Sequence, residues 1–557
     1  GGTSAITITN LTVTFPAVLT NTNTNVAGVT VLTALSGTGE FANSTNALLN
    51  ITATSAITTL TATANPNTVN YNGGAAQTVK ATTYHHLTVP NAGTKTVGAG
   101  GITINGDLAI SGTVILADGG NQITGNATGL MTMGAGTGLT LGVVATGTSF
   151  PTSFTGANIT LDAASTVTYN SNQAQTISGV PTYGNLTLTA TAAVTKTLGG
   201  ALTVNGNLTN GINNTLDVSG SNFAINLAGN WSAATGSVFT AGTGTVTFNG
   251  SGAQQILGTL SPKVFNNVVI NKPAGALTTA GGVITTVNNL TMTQGDYTPP
   301  ATLNITGTLT LTAGTLTAGT NTNIGGDWTN NGGTFTPGAN TVTFNSTTAA
   351  QAINGSVAAQ TFNNLTVNKT GQTLTVSGST TSLATANFTQ TAGNFTAPAT
   401  MNVTGTVTRS AGTFTAGTDL NVGVNWSAAT GSVFAPGTGT VTFNGTGAQS
   451  ILGTLATKNF NDLTINKTAG TLLNMTAGTA ITVSGNLTHT QGDFTPPATL
   501  TVTGSATLTA GTFTAGTNVN VGGDWTNNGG TFTPGAGTVT FNSTTAAQAI
   551  NGTAAAQ

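Results

Sequence analysis

Residues 499–521 read TLTVTGSATLTAGTFTAGTNVNV, and this stretch carries the pattern that decides the fold. Apolar residues alternate with polar ones in short runs, as at Leu500 and Val502 and again at Val519 and Val521. Glycine separates one run from the next. Such alternation is typical of strands with one buried face, and the glycines indicate turns. The stretch therefore predicts short strands joined by tight corners, with almost no helix.

The alternating pairs return at a short and regular spacing. Between Phe443 and Phe541 the steps between second members are 22, 18, 19, 19 and 20 residues; the pairs are Val441/Phe443, Leu463/Ile465, Ile481/Val483, Leu500/Val502, Val519/Val521 and Val539/Phe541. A unit of this size cannot bury an apolar face alone, whereas stacked units enclose a continuous core. We predict an all-β, single-chain parallel β-solenoid with about 20 residues per coil. The handedness of parallel crossovers favours a right-handed β-helix.

A longer repeat is superimposed on the coils. Four tryptophans are separated by 97, 98 and 99 residues: Trp231, Trp328, Trp426 and Trp525. A second marker, TV-[NT]-[YF]-N, recurs at intervals of 98, 79, 96, 99 and 98 residues, with its aromatic at Tyr71, Tyr169, Phe248, Phe344, Phe443 and Phe541. The short interval indicates that single coils can be deleted. We predict five coils in each unit of about 98 residues, with these ten aromatics as structural repeat markers.

The two ends of the sequence differ from its middle. Residues 1–65 lack the marker and are richer in Ala and Leu, so we expect irregular N-terminal coils or a cap there. Residues 66–557 are predicted to form continuous solenoid repeats. Residues 542–557 match residues 345–360, after which the earlier copy continues into TFNNLTVNK. We therefore expect the given sequence to stop in mid-repeat.

Composition excludes several functional classes. Only 4% of the 557 residues are charged, with nine Lys plus Arg against eleven Asp plus Glu. Without a basic run, nucleic-acid binding is not expected. No apolar segment reaches the ~20 residues that a membrane-spanning helix needs. The absence of cysteine excludes disulfides and thiolate metal sites.

Several phrases resemble a known class of protein. They include GNLTLTA at 184–190, FNNLTVNK at 362–369 and TVTFNGTGAQSILG at 440–453. These resemble the Thr/Asn/Gly-rich repeats of large bacterial surface and adhesin-like β-helix proteins, and the resemblance covers nearly everything after residue 66. It implies a solenoid located outside the cell or on the cell surface of a prokaryote.

The acidic residues and histidines do not form a catalytic or metal-binding pattern. Asn replaces Asp between repeats: Asp296 and Asp493 correspond to Asn394, while Asp327 and Asp524 correspond to Asn230 and Asn425. We interpret these positions as turn formers and do not expect an enzyme or a cofactor. His85 and His86 are adjacent on a predicted strand, where neighbours point to opposite faces, so we do not expect them to chelate a metal.

Two other repeated features concern the surface. Lys272, Lys369 and Lys467 each follow Asn, and we expect them to point outward and prevent sideways pairing of sheets. The alternative is a weak docking site for an anionic partner. Asparagines recur at coil corners, as in Phe362-Asn363-Asn364, and we expect their amides to form ladders between coils.

The leading functional hypothesis is the shaft of an extracellular filament or surface fibre, stacking with itself end to end or laterally. Its alternative is the stalk of a bacterial adhesin contacting a host or abiotic surface. Two more distant alternatives are an ice-binding solenoid, suggested by Thr-x-Thr runs such as LTLTAGTLTAGT at 309–320, and a polysaccharide-active β-helix enzyme.

Overall fold

The computed structural model describes residues 4–280, 284–474 and 480–555. Strands make up 56% of these described residues, which wind into about 26 parallel turns spaced about 21 residues apart. The predicted fold class is thereby confirmed. Contacts divide the chain into unit 1, residues 1–283, and unit 2, residues 284–557. Each unit is described below by itself.

Unit 1 contains short strands and one turn of 3-10 helix, Gly156–Asn158. Its strands are β1 Ile6–Thr12, β2 Val18–Asn21, β3 Val29–Asn43, β4 Leu48–Ile51, β5 Thr54–Thr61, β6 Thr68–Tyr71, β7 Gln77–Val79, β8 Thr83–Tyr84, β9 His86–Val89, β10 Thr94–Val97, β11 Ile102–Ile104, β12 Leu108–Ile110, β13 Ile115–Ala117, β14 Ile123–Thr124, β15 Met131–Met133, β16 Gly138–Leu141, β17 Ile159–Leu161, β18 Thr166–Asn170, β19 Gln175–Ile177, β20 Thr182–Tyr183, β21 Asn185–Thr189, β22 Val194–Leu198, β23 Leu202–Val204, β24 Leu208–Asn210, β25 Asn214–Asp217, β26 Ile225–Leu227, β27 Trp231–Ala233, β28 Val238–Thr240, β29 Thr245–Phe248, β30 Gln254–Leu257, β31 Lys263–Val264 and β32 Asn267–Thr279.

Unit 2 is built in the same way. Its strands are β33 Ile284–Val287, β34 Asn289–Thr298, β35 Thr302–Ile305, β36 Leu309–Leu311, β37 Thr315–Thr317, β38 Asn321–Ile324, β39 Trp328–Asn330, β40 Thr334–Thr336, β41 Thr341–Phe344, β42 Gln351–Asn354, β43 Ala359–Val376, β44 Ser382–Thr396, β45 Thr400–Val403, β46 Val407–Arg409, β47 Gly412–Thr415, β48 Asp419–Val422, β49 Trp426–Ala428, β50 Ser432–Ala435, β51 Thr440–Phe443, β52 Gln449–Leu452, β53 Thr457–Phe460, β54 Asp462–Asn474, β55 Ala480–Val483, β56 Leu487–Thr495, β57 Thr499–Val502, β58 Ala506–Leu508, β59 Thr512–Thr514, β60 Asn518–Val521, β61 Trp525–Asn527, β62 Thr531–Thr533, β63 Thr538–Phe541 and β64 Ile550–Asn551.

Strands of neighbouring coils pair in parallel, about one coil apart in sequence. In β57 and β60, for example, Leu500 lies opposite Val519, and both side chains are buried. The next pair along these strands, Thr501 opposite Asn520, faces outward. The alternation in the sequence thus places every second side chain in one continuous core, because successive residues of a strand point to opposite faces. Strands within residues 1–65 obey the same rule, since β4 pairs in parallel with both β3 and β6.

A coil of unit 2 has three strand positions. The coil that opens with β41 continues through β42 and closes with residues 359–362 of β43; residues 364–367 of β43 then stack on β41 and open the next coil. Long strands such as β43 run without interruption across these corners.

The long unit does not return to the same position of the coil. From β41 the stack continues through β43, β44, β46 and β49 to β52. The next marker strand, β51, lies instead in the stack of β48, β45, β44 and residues 359–362. The last, β63, lies in the stack that begins with β53, again the third position of its coil. One repeat of about 98 residues therefore takes four coils and two thirds of a fifth. Within unit 2, each successive marker strand thus lies on a different face of the solenoid from the one before.

Candidate functional site: buried cations at the coil corners

The aromatic repeat markers line the core. The four tryptophans are at most 3% exposed, and Tyr71, Tyr169, Phe248, Phe344 and Phe443 are fully buried, while Phe541 is 37% exposed. The two tyrosines each form a buried hydroxyl pair at 3.1 Å, with Tyr84 and Tyr183 respectively. Burial raises the pKa of Tyr169 to about 12.

Each tryptophan centres an aromatic cluster. Trp328 lies between Leu309 one coil earlier and Ile353 one coil later, and its ring meets those of Phe335 and Phe362 edge to face at 4.8 and 5.0 Å. Edge-to-face contacts add to the free energy gained by burying the rings. The tryptophans thus fill the core at regular intervals.

The cations of this protein lie inside it. Of the nine Lys and Arg residues, only Lys80 is half-exposed. The other eight are buried, at most 2% exposed: Lys95, Lys196, Lys263, Lys272, Lys369, Arg409, Lys458 and Lys467. Burying a charged group costs free energy unless hydrogen bonds replace its water shell. The acceptors that surround these cations are therefore the most specific chemistry that the fold contains.

Lys369 illustrates the arrangement. Its Nζ donates to the main-chain oxygens of Ser346 and Ala349 at 3.1 and 3.0 Å and to Oε1 of Gln351 at 2.6 Å. An ammonium has three protons to donate, and here each has one acceptor. Burial lowers the pKa of Lys369 to about 8, an effect that the nearby carboxylate of Asp327 opposes.

Gln351 completes the corner. Its Nε2 donates to the carbonyl oxygens of Ile324, at 2.9 Å, and Gly326, both one coil earlier. Its Oε1 also accepts the main-chain N–H of Ser346 at 3.1 Å. Lys369, Gln351 and Ile324 belong to three successive coils, so the pair ties three coils together while fixing the turn between β41 and β42.

The same corner recurs in both units. In unit 1, Lys196 donates to Gln175 at 2.7 Å and Lys272 to Gln254 at 2.8 Å; in unit 2, Lys467 donates to Gln449 at 2.8 Å. Lys95 lies opposite Gln77 in the register and donates to the carbonyl oxygens of Gly73 and Ala75. Burial also lowers the pKa of Lys196 to about 8.

The expectation that Lys272, Lys369 and Lys467 point outward is wrong. Their side chains are at most 1% exposed and cannot repel a neighbouring sheet or receive an anionic partner. The alternation in the sequence carried the correct signal, because Leu365, Val367 and Lys369 occupy every second position and share one face. The general preference of lysine for solvent favours the opposite orientation, but it does not apply where buried oxygens surround the ammonium.

Arg409 is a buried cation with fewer acceptors. Its Nη2 donates to Ser432 Oγ at 3.2 Å, but Nε and Nη1 have no protein acceptor. The guanidinium lies 5.0 Å from the Trp426 ring and 5.2 Å from the Phe434 ring. Cation–π attraction compensates part of the lost hydration. Burial lowers the pKa of Arg409 to about 10.

The histidines differ from expectation in one respect. His85 precedes β9 at a corner, and the two adjacent rings of His85 and His86 meet at 4.2 Å instead of pointing to opposite faces. His86 Nδ1 lies 3.1 Å from a carboxylate oxygen of Asp107. In the described part of the chain, no group of three or more His, Cys, Asp or Glu side chains is placed to hold a metal.

The exchange of Asp for Asn between repeats has a structural explanation. The Oδ1 atoms of Asp327 and Asp524 each accept a main-chain N–H one coil later at 2.8 Å, and those of Asn230 and Asn425 do the same at 2.7 and 2.9 Å. A carboxylate oxygen and an amide oxygen serve equally as this acceptor. These four positions lie at corners between strands, as expected of turn residues, whereas Asp296, Asn394 and Asp493 lie within strands β34, β44 and β56.

The predicted amide ladders are also present. At the corner, Asn387 donates to Asn364 Oδ1 at 2.9 Å. Within outward faces of strands, Asn323 donates to Asn304 at 2.8 Å and Asn421 to Asn402 at 2.7 Å. Each bond joins neighbouring coils, so the ladders add side-chain hydrogen bonds to those of the backbone.

In comparisons with known proteins, no protein-family model matches the chain, and neither a curated protein nor a solved structure is significantly similar to it. In the part of the chain that the structure describes, no helix has the length and apolar character needed to cross a bilayer.

Proposed function

We propose that this protein is a structural element, the shaft of an extracellular filament or of a fibre on a prokaryotic cell surface, and that it is not an enzyme. The proposal includes association of copies end to end or laterally. The resemblance of its Thr/Asn/Gly-rich repeats to those of bacterial surface proteins supports the location.

The observation that carries the proposal is the corner built by Gln351 and Lys369. It joins three successive coils through buried hydrogen bonds, and equivalent Gln–Lys pairs recur in both units. Parallel backbone ladders connect the same coils. Force applied along the stack would load many hydrogen bonds at once, which suits a mechanical role.

The paired threonines of the Thr-x-Thr runs do not continue along one face as a broad ice-binding surface would. Thr315 and Thr317 on β37 lie opposite Thr334 and Thr336 on β40, which makes a patch only two coils deep. The strand that corresponds to β37 in the next repeat of about 98 residues is β47. It stacks with β36, β39 and β42 and not with β37. Successive patches of paired threonines therefore lie on different faces. A single column of threonines does continue through five coils, at Thr442, Thr464, Thr488, Thr507 and Thr526.

Cryo-electron microscopy and solution scattering of the native material test the proposal. We expect elongated particles or filaments with an axial repeat of ~4.8 Å, the spacing of stacked strands. Rods that end in a distinct head would indicate an adhesin stalk instead. A compact, globular scattering profile would contradict the proposal, and so would immunogold labelling confined to the cell interior.

A further inference from the structure

An open groove of about 430 Å³ runs along the outside of unit 2 beside the Gln351 corner. Its floor is formed by outward side chains of three successive coils, among them Thr286, Asn304 and Asn323. The turn at residues 345–348 rises beside them as a wall, with Asn345, Thr347 and Thr348 exposed.

The floor is an ordered row of polar groups. Asn323 donates to Asn304 Oδ1 at 2.8 Å, and Asn304 donates to Thr286 Oγ1 at 3.4 Å. These bonds run along the stack and fix the orientation of each amide. A ligand would therefore meet hydrogen-bonding groups already held about one coil spacing apart, ~4.8 Å.

The wall is held from beneath by the buried corner. Ser346 donates its main-chain N–H to Gln351 Oε1, and its carbonyl oxygen accepts a hydrogen bond from Lys369. Lys369 also holds the carbonyl of Ala349. The turn is therefore rigid before any ligand arrives, which lowers the entropic cost of binding.

The chemistry of the groove selects its ligand. The residues that line it are Thr, Asn, Ser and Gly with one buried Ile, and none is charged. Amide and hydroxyl groups both donate and accept hydrogen bonds. They match a neutral ligand rich in hydroxyl groups and offer no counter-charge to a phosphate, a sulfate or a uronic acid.

The side-chain ladder and the glutamine-fixed turn that border this groove recur along unit 2. Asn421 donates to Asn402 at 2.7 Å, and Asn520 donates to Thr501 at 3.4 Å, beside turns fixed by Gln449 and Gln548. Each ladder adjoins its own marker strand, so the three ladders lie on different faces as the markers do. Three such sites facing different directions suit a ligand that surrounds the protein.

We propose that these grooves bind neutral polysaccharide chains, which anchors the protein in a carbohydrate matrix. The inference goes beyond the shaft role and does not depend on it. Each groove alone binds weakly because it is shallow and lacks an exposed aromatic in its lining. Several grooves on one chain and many sugars on one polymer together give avidity.

The test uses the full chain and three immobilised neutral polysaccharides, dextran, a soluble β-1,3-glucan and a galactomannan, with alginate as the anionic comparison. Binding is measured by biolayer interferometry for the wild type and for the triple variant Asn323→Ala, Asn421→Ala and Asn520→Ala. The matched control replaces Thr310, Thr408 and Thr507 by Ala, which are outward, half-buried residues of neighbouring strands. A third variant, Thr347→Glu, Thr446→Glu and Thr544→Glu, changes only turn residues and leaves the ladders intact.

We expect the wild type to bind at least one neutral polysaccharide, with little change as salt is raised, because no charge is involved. The amide triple variant should lose at least about tenfold in apparent affinity through lost avidity. The glutamate variant should weaken binding similarly, and the threonine control should match the wild type. The proposal would be overturned if the wild type bound none of the three neutral polysaccharides or preferred alginate. An equal loss of affinity in the threonine control variant would also overturn it.

Discussion

Lys369 donates a 2.6 Å hydrogen bond from its buried Nζ to Oε1 of Gln351, which precedes it by 18 residues. Gln351 in turn binds the carbonyl oxygen of Ile324 one coil earlier. A cation that usually marks the surface of a protein here forms the inside of a corner. The stability of the solenoid should therefore depend on single, identifiable polar pairs.

The Lys369–Gln351 pair should behave as a coupled unit. Lys369→Met leaves buried oxygens without a donor, so it should reduce local stability by about 1–3 kcal/mol. Gln351→Leu should act similarly, and the double variant should lose less than the sum because the two share a partner. Native-state hydrogen exchange of residues 345–355 measures the effect. Lys80→Met is the control, since Lys80 is half-exposed, and strictly additive losses would contradict the coupling.

The pH dependence of stability should carry the signature of this amine. Burial lowers the pKa of Lys369 from 10.5 to about 8 in the folded protein. Between these values the unfolded chain binds more protons than the folded one, so the contribution of this group to stability rises with pH across that window and is constant outside it. Urea unfolding followed by tryptophan fluorescence should show the wild type gaining relative to Lys369→Met from pH 8 to 10.5. Parallel pH profiles of the two proteins would exclude titration in that range.

Arg409 should be replaceable with a gain in stability. The coils equivalent to its own carry Leu311 with Asn330 above it, and Leu508 with Asn527, whereas Arg409 lies beneath Ala428. The double variant Arg409→Leu and Ala428→Asn recreates the combination found in the other repeats and removes a guanidinium with two unpartnered donors. We expect a gain of about 1–4 kcal/mol.

Chemical unfolding measures this effect, and the single variants serve as controls. Arg409→Leu alone should gain less, because Ala428 leaves the volume of the lost guanidinium unfilled. A loss of stability in the double variant would mean that the cation–π contacts with Trp426 and Phe434 outweigh the cost of burying the charge.

Replacing two glycines of positive φ by alanine distinguishes the steric cost of an added Cβ from the cost of a left-handed backbone. At Gly412 (φ +82°) an added Cβ would lie 1.9 Å from the carbonyl oxygen of Gly393, while at Gly437 (φ +58°) it would meet nothing within 4 Å. Gly437→Ala should cost about 1–2 kcal/mol for its left-handed backbone alone. Gly412→Ala should cost at least ~2 kcal/mol more, since the coils must separate locally. Thermal and urea unfolding of the two variants compare them, and equal losses would show that the coils are loosely stacked at this corner.

The repeat was readable because solenoid folding is local in sequence. Leu500, Val502, Val519 and Val521 recur at the coil spacing, and each pairs only with the neighbouring coil. Such a pattern leaves few alternatives to a parallel stack. The shift of each successive marker strand to a different face could not be predicted from the sequence. It depends on the small differences in length between corners, which decide on which strand stack a marker falls.

The buried cations could have been found and were missed. Lys369 follows the alternation of Leu365 and Val367, Arg409 follows that of Val407, and both side chains lie inside. What the alternation cannot supply is the set of acceptors that makes burial possible. Those acceptors come from turns and glutamines of preceding coils.

The sequence alone determined the strands, the coil spacing and the direction of stacking, since these follow from alternation and repetition between neighbouring segments. Only the tertiary structure decided where charge resides, because a buried ammonium is stable only where oxygens from separate coils converge on its three protons. It also decided that the polar ladders at Asn323, Asn421 and Asn520 lie on successive faces, because a face exists only after coils have stacked.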